Sequence, residues 1–272
     1  MWWMMQSKKK EILTLIENLE SLQGEIAPVD RQRLSKIAKI ASYFVVLLSC
    51  FYPSLWVIGH ILFNQSRCPF DSQNLDMKST IIPKIAYEYG SAYVNHYVYF
   101  TFTTFYLLIC LIVANSLNDK KRHRIQAFRL YKNVLKMFED IEDTLSPFML
   151  FLFARMLAVF FLFIYQMLYA VRLRNWPLIN MSIPYFFINA VLMIIIVLST
   201  DRVQKKTDKF RLSLYQYIEL NSILNGEHLR ILEDWRHLKL TAWGVFAIKK
   251  SVILATGAWL FTYSIAFLQF PS

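Results

Sequence analysis

Five blocks of apolar residues, each long enough to cross a lipid bilayer as a helix, dominate this chain. They run over about 40–63, 93–117, 148–171, 176–198 and 251–270. A bilayer's hydrocarbon core is about 30 Å thick, and about 20 helical residues span it. Inside hydrocarbon every amide and carbonyl must be bonded within the protein, so an isolated block of this kind has to be helical. The first block contains Pro53, which a lipid-embedded helix tolerates when its neighbours re-satisfy the backbone. The third contains a single charge, Arg155. The apolar residues fall in long runs, not in the two-residue alternation of a barrel strand. Of 272 residues 56% are hydrophobic and 16% aromatic, more than a soluble domain of this size hides from water. The expected fold class is all-α: a polytopic membrane protein with five transmembrane helices and a cytosolic helical anchor.

The basic residues orient the chain. Seven of the 30 Lys and Arg lie in residues 1–39, seven in 118–146 and ten in 201–250. The alternate loops hold only Arg67, Lys78 and Lys84, then Arg172 and Arg174. Cytosolic loops carry the excess of Lys and Arg, which places the N-terminus in the cytosol and the C-terminus outside, in the plasma membrane. The net charge of +11 is explained the same way. Basic residues beside apolar blocks suit anionic lipid, and no separate basic domain exists that would bind nucleic acid. Met1 to Gln6 is too short for the core of a signal peptide, and Lys8, Lys9 and Lys10 follow it, so the first span is expected to act as the insertion signal. Asn64-Gln65-Ser66 is a glycosylation sequon on the expected outer side, although it abuts a span.

Three segments on the cytosolic side are amphipathic. Ile12, Leu15, Ile16, Leu19 and Leu22 share one helical face. Phe128, Tyr131, Leu135, Phe138 and Leu145 share another, and Phe210, Leu214, Tyr217, Ile218 and Leu224 a third. Basic residues would also let such helices lie on lipid. The interleaved Glu11, Glu139, Asp140 and Glu142 would be repelled there, which favours a packed bundle continuous with the spans. The organisation expected is residues 1–37 as an N-terminal amphipathic helix and 38–272 as the transmembrane region, with cytosolic loops 118–146 and 201–250.

Catalytic and metal-binding patterns are missing. The chain has no GxxxxGK loop, CxxC pair or HExxH run. His60, His96, His123, His228 and His237 are scattered, and Glu233 with His237 is a single helical pair, short of a metal site. Cys50 and Cys110 lie in apolar blocks and Cys68 stands alone, so no disulfide framework follows. No enzyme activity, cofactor or metal is expected.

Polar residues within the spans tend to face the bundle interior or a cavity. Gln166 and Asn189 suit hydrogen bonds between helices. Trp56, His60, Tyr93, His96, Tyr97 and Tyr99 form an aromatic and polar set near the outer ends of the first two spans. It fits either an interfacial belt or the wall of a pocket for a small organic ligand.

The last block ends Thr262-Tyr263-Ser264-Ile265-Ala266-Phe267-Leu268-Gln269-Phe270. This resembles the closing signature of insect gustatory receptors: Thr and Tyr, five mostly apolar residues, then Gln and Phe, at the outer end of the final span. The lead-in Leu240 to Lys249 and the long loop before it also look like that family, as does the orientation. The family has seven spans, so the five blocks look like the third to seventh. An incomplete gene model, a short isoform or a degenerate copy would account for the difference. The resemblance implies a ligand-gated, nonselective cation channel that detects a small organic tastant and is built as a homo- or hetero-tetramer with related receptors. It implies that the final helices line the pore, with Tyr263, Gln269 and Phe270 at the gate, the Phe270 ring closing by dewetting and Gln269 replacing part of an ion's hydration shell. The alternative is a truncated modulatory or non-functional subunit that assembles with full-length relatives.

Overall fold

The computed structural model describes residues 6–24, 28–67, 75–117, 124–173, 176–220 and 239–269. These residues form six helices and one hairpin: α1 Lys9–Gly24, α2 Pro28–Arg67, α3 Leu75–Ser116, α4 Arg124–Leu173, α5 Trp176–Leu220, strands β1 Thr241–Ala242 and β2 Phe246–Ala247, and α6 Lys250–Gln269. The strands are antiparallel, with Thr241 opposite Ala247 and Ala242 opposite Phe246.

Four helices carry stretches long and apolar enough to cross a membrane: Arg31–Phe51, Tyr89–Ser116, Arg129–Tyr169 and Ile183–Gln216. The fifth expected span is also a helix, α6, whose 20 residues carry one charge, Lys250, at the first position. At 1.5 Å per residue it reaches about 30 Å, the thickness of the hydrocarbon core. Large apolar side chains are exposed along these helices, among them Tyr43 (78%), Phe44 and Leu47 on α2 and Leu254 (77%) and Phe261 on α6. Water would penalise such surfaces, whereas lipid tails accept them. The chain is an all-α, multi-pass membrane protein.

α4 has 50 residues and α5 has 45, contour lengths of about 75 and 68 Å, roughly twice what a bilayer needs. The amphipathic segments expected over 128–145 and 210–224 are therefore extensions of the spanning helices as far as Leu220, and Leu224 lies outside the described residues. α3 likewise begins at Leu75, well before the apolar block at Tyr93. Hydropathy marks where a helix enters lipid, and helix formation continues wherever the backbone can still bond to itself.

The chain divides into two compact units. One unites Met1–Ile37, Tyr106–Arg155 and Met193–Gly257. In it α1 buries Leu15, Leu19 and Leu22, the stripe expected from their spacing. Each such side chain withdrawn from water contributes about 1.5–3 kcal/mol. Tyr131 and Leu135 of α4 are buried against Phe210 and Leu214 of α5, with the Tyr131 and Phe210 rings 6.0 Å apart. The amphipathic faces of α4 and α5 thus pack on each other within one chain. Asn18 Nδ2 donates to Asp140 Oδ2 at 2.8 Å, and Lys206 Nζ donates to the Ala114 carbonyl at 2.9 Å. Ala114 lies in the last turn of α3, where carbonyls have no intrahelical partner, so Lys206 serves as a cap supplied by another helix. Tyr106 Oη and Thr200 Oγ1 are 3.1 Å apart, both buried.

The other unit comprises Ala38–Phe105, Met156–Leu192 and Ala258–Ser272. Its packing is aromatic. Phe186 stacks on Phe163 at 4.4 Å and meets Phe160 edge-on at 5.2 Å. Between apolar helices in lipid the gain comes from dispersion and from interhelical hydrogen bonds.

Candidate functional site

α6 is little covered by its own chain. From Ser251 to Ile265, among the described side chains, only Thr256 is buried. The closing motif lies on its last turns. Thr262 Oγ1 donates to the Ala258 carbonyl at 2.9 Å and Ser264 Oγ to the Leu260 carbonyl at 2.7 Å, so both hydroxyls are satisfied along the helix. Tyr263 is 43% exposed, its ring edge-on to Phe161 of α4 at 5.1 Å and to Trp259 at 5.9 Å. Gln269 is the final residue of α6 and is exposed. Phe270 lies outside the described residues.

Of the aromatic and polar set, Trp56 and His60 fall on α2, as does Asn64 in its last turn, with side chains outside the described residues. Tyr93, His96 and Tyr97 lie on α3 and meet different neighbours. Tyr93 and Tyr97 stack on each other at 6.0 Å, and Tyr97 stays 41% exposed. His96 turns to α5, where the Tyr185 ring meets it edge-on at 5.5 Å. One turn deeper, Tyr99 Oη donates to Asn189 Oδ1 at 2.8 Å. Asn189 Nδ2 in turn donates to the Tyr185 carbonyl at 2.8 Å. Pro184 lies inside α5, just before Tyr185. Asn189 is fully buried, and the hydrogen bond expected of it between helices is the one it makes. His96, Tyr99, Tyr185 and Asn189 thus form the polar cluster of this unit. Tyr185 is the member the sequence did not single out, since nothing in its spacing set it apart from other span tyrosines.

The hairpin is a second arrangement the sequence left unseen. Residues 241–247 fold back through a turn in which Trp243 (φ 53°) and Gly244 (φ 68°) both have left-handed backbone. Val245 N–H closes the turn on the Ala242 carbonyl at 3.0 Å. The hairpin is fastened to one turn of α4. Glu142 Oε2 accepts the Thr241 N–H at 2.8 Å, and Oε1 accepts the Thr241 hydroxyl and, at 3.1 Å, the Ser146 hydroxyl. Ser146 Oγ accepts the Trp243 N–H, and Thr241 Oγ1 accepts the Gly244 N–H at 2.8 Å. The Phe246 ring meets Phe153 edge-on at 5.4 Å.

Among the described residues no group of three His, Cys, Asp or Glu side chains is gathered that could hold a metal ion.

No protein-family model matches the chain, and no curated protein matches it. A solved structure does: the insect olfactory receptor OR5 from Machilis hrabei, at TM-score 0.68 and 15% identity, over 98% of this chain and 76% of that one. The chain has the fold of an insect olfactory receptor. Identity this low carries the fold alone, and that fold accommodates nearly every residue here, the charged halves of α4 and α5 included. The closing motif resembles gustatory receptors, whereas the matching structure is an olfactory one.

Proposed function

We propose that this chain is a subunit of a chemosensory receptor, a ligand-gated and nonselective cation channel that opens on binding a small organic tastant. The observation that carries the reading is the coincidence of two independent features on one chain. Its backbone follows an insect olfactory receptor across 98% of its length, and its last helix ends in the Thr262-Tyr263 and Gln269-Phe270 pairs. The exposure of α6 supports the same reading, because an apolar helix uncovered by its own chain is free to line an axis shared with related subunits. In this assembly, a homo- or hetero-tetramer in the plasma membrane, Tyr263, Gln269 and Phe270 form the gate. The polar cluster around His96 and Tyr185 lies beside the ligand, with Trp56, His60, Tyr93 and Tyr97 as further candidates for its wall. The charged halves of α4 and α5 face the cytosol with α1, as the anchor, and the C-terminus is extracellular, where Asn64 would be open to glycosylation.

The test is cation current in cells expressing the chain alone and with a full-length gustatory relative, under a panel of sugars and bitter compounds. A ligand-evoked current with a reversal potential near zero is expected. Surface-expressed chain that neither conducts nor alters its partner's current in any pairing overturns the proposal. Suppression of the partner's current assigns the chain a modulatory role instead.

A further inference from the structure

We propose that Glu142, Ser146 and Thr241 form a clasp that positions the foot of α6, and that loosening the clasp changes how α6 responds to ligand; the second half rests on the channel reading above. The clasp uses every group it has. Both oxygens of Glu142 are occupied, the Ser146 hydroxyl donates towards Glu142 Oε1 and the Thr241 carbonyl, both at 3.1 Å, and each hydroxyl accepts one turn amide. Those two amides belong to Trp243 and Gly244, the residues with left-handed backbone. A non-glycine residue in that region costs about 1–2 kcal/mol and persists where its surroundings over-determine it. Here the over-determination comes from α4.

The hairpin and α6 are too closely joined to move separately. Only Ile248 and Lys249 lie between β2 and α6. Ile248 is fully buried and its N–H returns to the Leu240 carbonyl at 3.0 Å. Gln204 of α5 donates to that same carbonyl at 3.4 Å, and Asp201 of α5 lies 3.8 Å from Lys250. The start of α6 is therefore tied to α4 by a carboxylate and two hydroxyls, and to α5 by an amide and an ion pair. Beyond its foot, among the described residues, α6 buries only Thr256 and sets the Tyr263 ring against Phe161, so we place the chain's hold on α6 at the clasp.

Two measurements test this, both on the full chain in membranes. In a background with Cys50, Cys68 and Cys110 replaced, Ala242→Cys places a thiol at a position with 0% exposure. Its maleimide labelling is expected to be slow, at least tenfold faster with Glu142→Gln or Thr241→Val, and slow again with Thr241→Ser, which keeps the hydroxyl. In the conducting pairing, the same two variants are expected to shift the half-maximal ligand concentration at least threefold at unchanged unitary conductance, with Thr241→Ser restoring the native value. Labelling unchanged by both variants overturns the clasp. Faster labelling with an unchanged ligand midpoint overturns its link to the response. Absence of ligand-evoked current from the native chain in every pairing overturns the channel reading and with it the second half, while the labelling still decides the first.

Discussion

Lys8 donates its ammonium to the carbonyl oxygen of Asp143, the acceptor that Pro147 cannot serve. In an unbroken helix the amide of residue 147 would bond the carbonyl four residues earlier, and proline has no amide hydrogen. A buried proline inside a 50-residue helix thus leaves one carbonyl exposed on α4, and the residue just before α1 takes it. Nearly three turns along α1, Asn18 reaches Asp140, one turn before Asp143 on α4. The two bonds fix the rotation that turns Leu15, Leu19 and Leu22 inward.

The pairing predicts a specific non-additivity. Lys8→Ala is expected to destabilise the native chain by about 0.5–1 kcal/mol, a charged hydrogen bond discounted for its exposure. In a Pro147→Ala background the restored amide bonds Asp143, and the cost of Lys8→Ala is expected to fall towards zero. A double-mutant cycle on thermal unfolding in detergent reads this directly. Equal costs in both backgrounds would show that Lys8 answers something other than the proline.

The Tyr99–Asn189 bond gives a second prediction. Interhelical hydrogen bonds in membranes contribute about 0.5–1.5 kcal/mol, because the unfolded helices also find partners. Tyr99→Phe is expected to cost that much. Asn189→Leu together with Tyr99→Phe is expected to cost less than the sum, since neither mutant alone removes both polar atoms. The measurement is unfolding of the solubilised chain, and strict additivity would count against a bond between the two.

How much of this was legible depended on how many residues each feature needed. The inward stripe of α1 was readable because five apolar residues repeat at helical spacing. Asn189 was readable because one polar residue in an apolar block has few options. The pairing of His96 with Tyr185 was not, since His96 and Tyr97 are adjacent in sequence but about 100° apart around a helix, and spacing alone does not say which of them turns to α5. The clasp was invisible for a different reason. Glu142 sits in a run with Glu139, Asp140 and Asp143 and looks like one more surface acid. Its partner, Thr241, is 99 residues away. The turn itself offers Trp where turn chemistry prefers Asn or Gly.

That misplaced tryptophan supplies a third prediction. Asn tolerates left-handed backbone, so Trp243→Asn is expected to stabilise the chain by about 1 kcal/mol, provided the exposed ring makes no contact in the native state. Trp243 is 58% exposed within the chain. A fall in thermal stability in membranes, against a rise in detergent, would show that the ring is engaged by lipid or by another subunit.

Orientation gives a fourth. The clustering of Lys and Arg in alternate segments predicts that an epitope at Ser272 is reached by antibody on intact cells and one at Met1 only after permeabilisation. The opposite pattern would reverse the whole assignment of sides, with the anchor on the wrong face of the membrane for the proposed channel.

The last prediction concerns the end of α6. Gln269 is exposed at the helix terminus and contributes the one amide side chain of the closing motif. If the final helices line the conduction path, Gln269→Ala removes a group that replaces part of an ion's hydration shell, and relative permeability or unitary conductance is expected to change. Phe270→Ala removes the ring proposed to dewet the closed constriction, so ligand-independent current is expected to rise. Tyr263 is expected to behave differently from both. Its ring lies edge-on to Phe161 and Trp259, contacts worth about 0.5–1.5 kcal/mol each. Tyr263→Ala releases α6 from α4 at that level without touching the hydrating group, so the ligand midpoint is expected to move while ion preference stays native. Tyr263→Phe keeps the ring and is expected to retain native gating. Patch-clamp recording of the chain paired with a full-length relative separates these outcomes. Native permeation in Gln269→Ala, with native closure in Phe270→Ala, in a preparation whose current depends on this chain, would remove the end of α6 from the ion path.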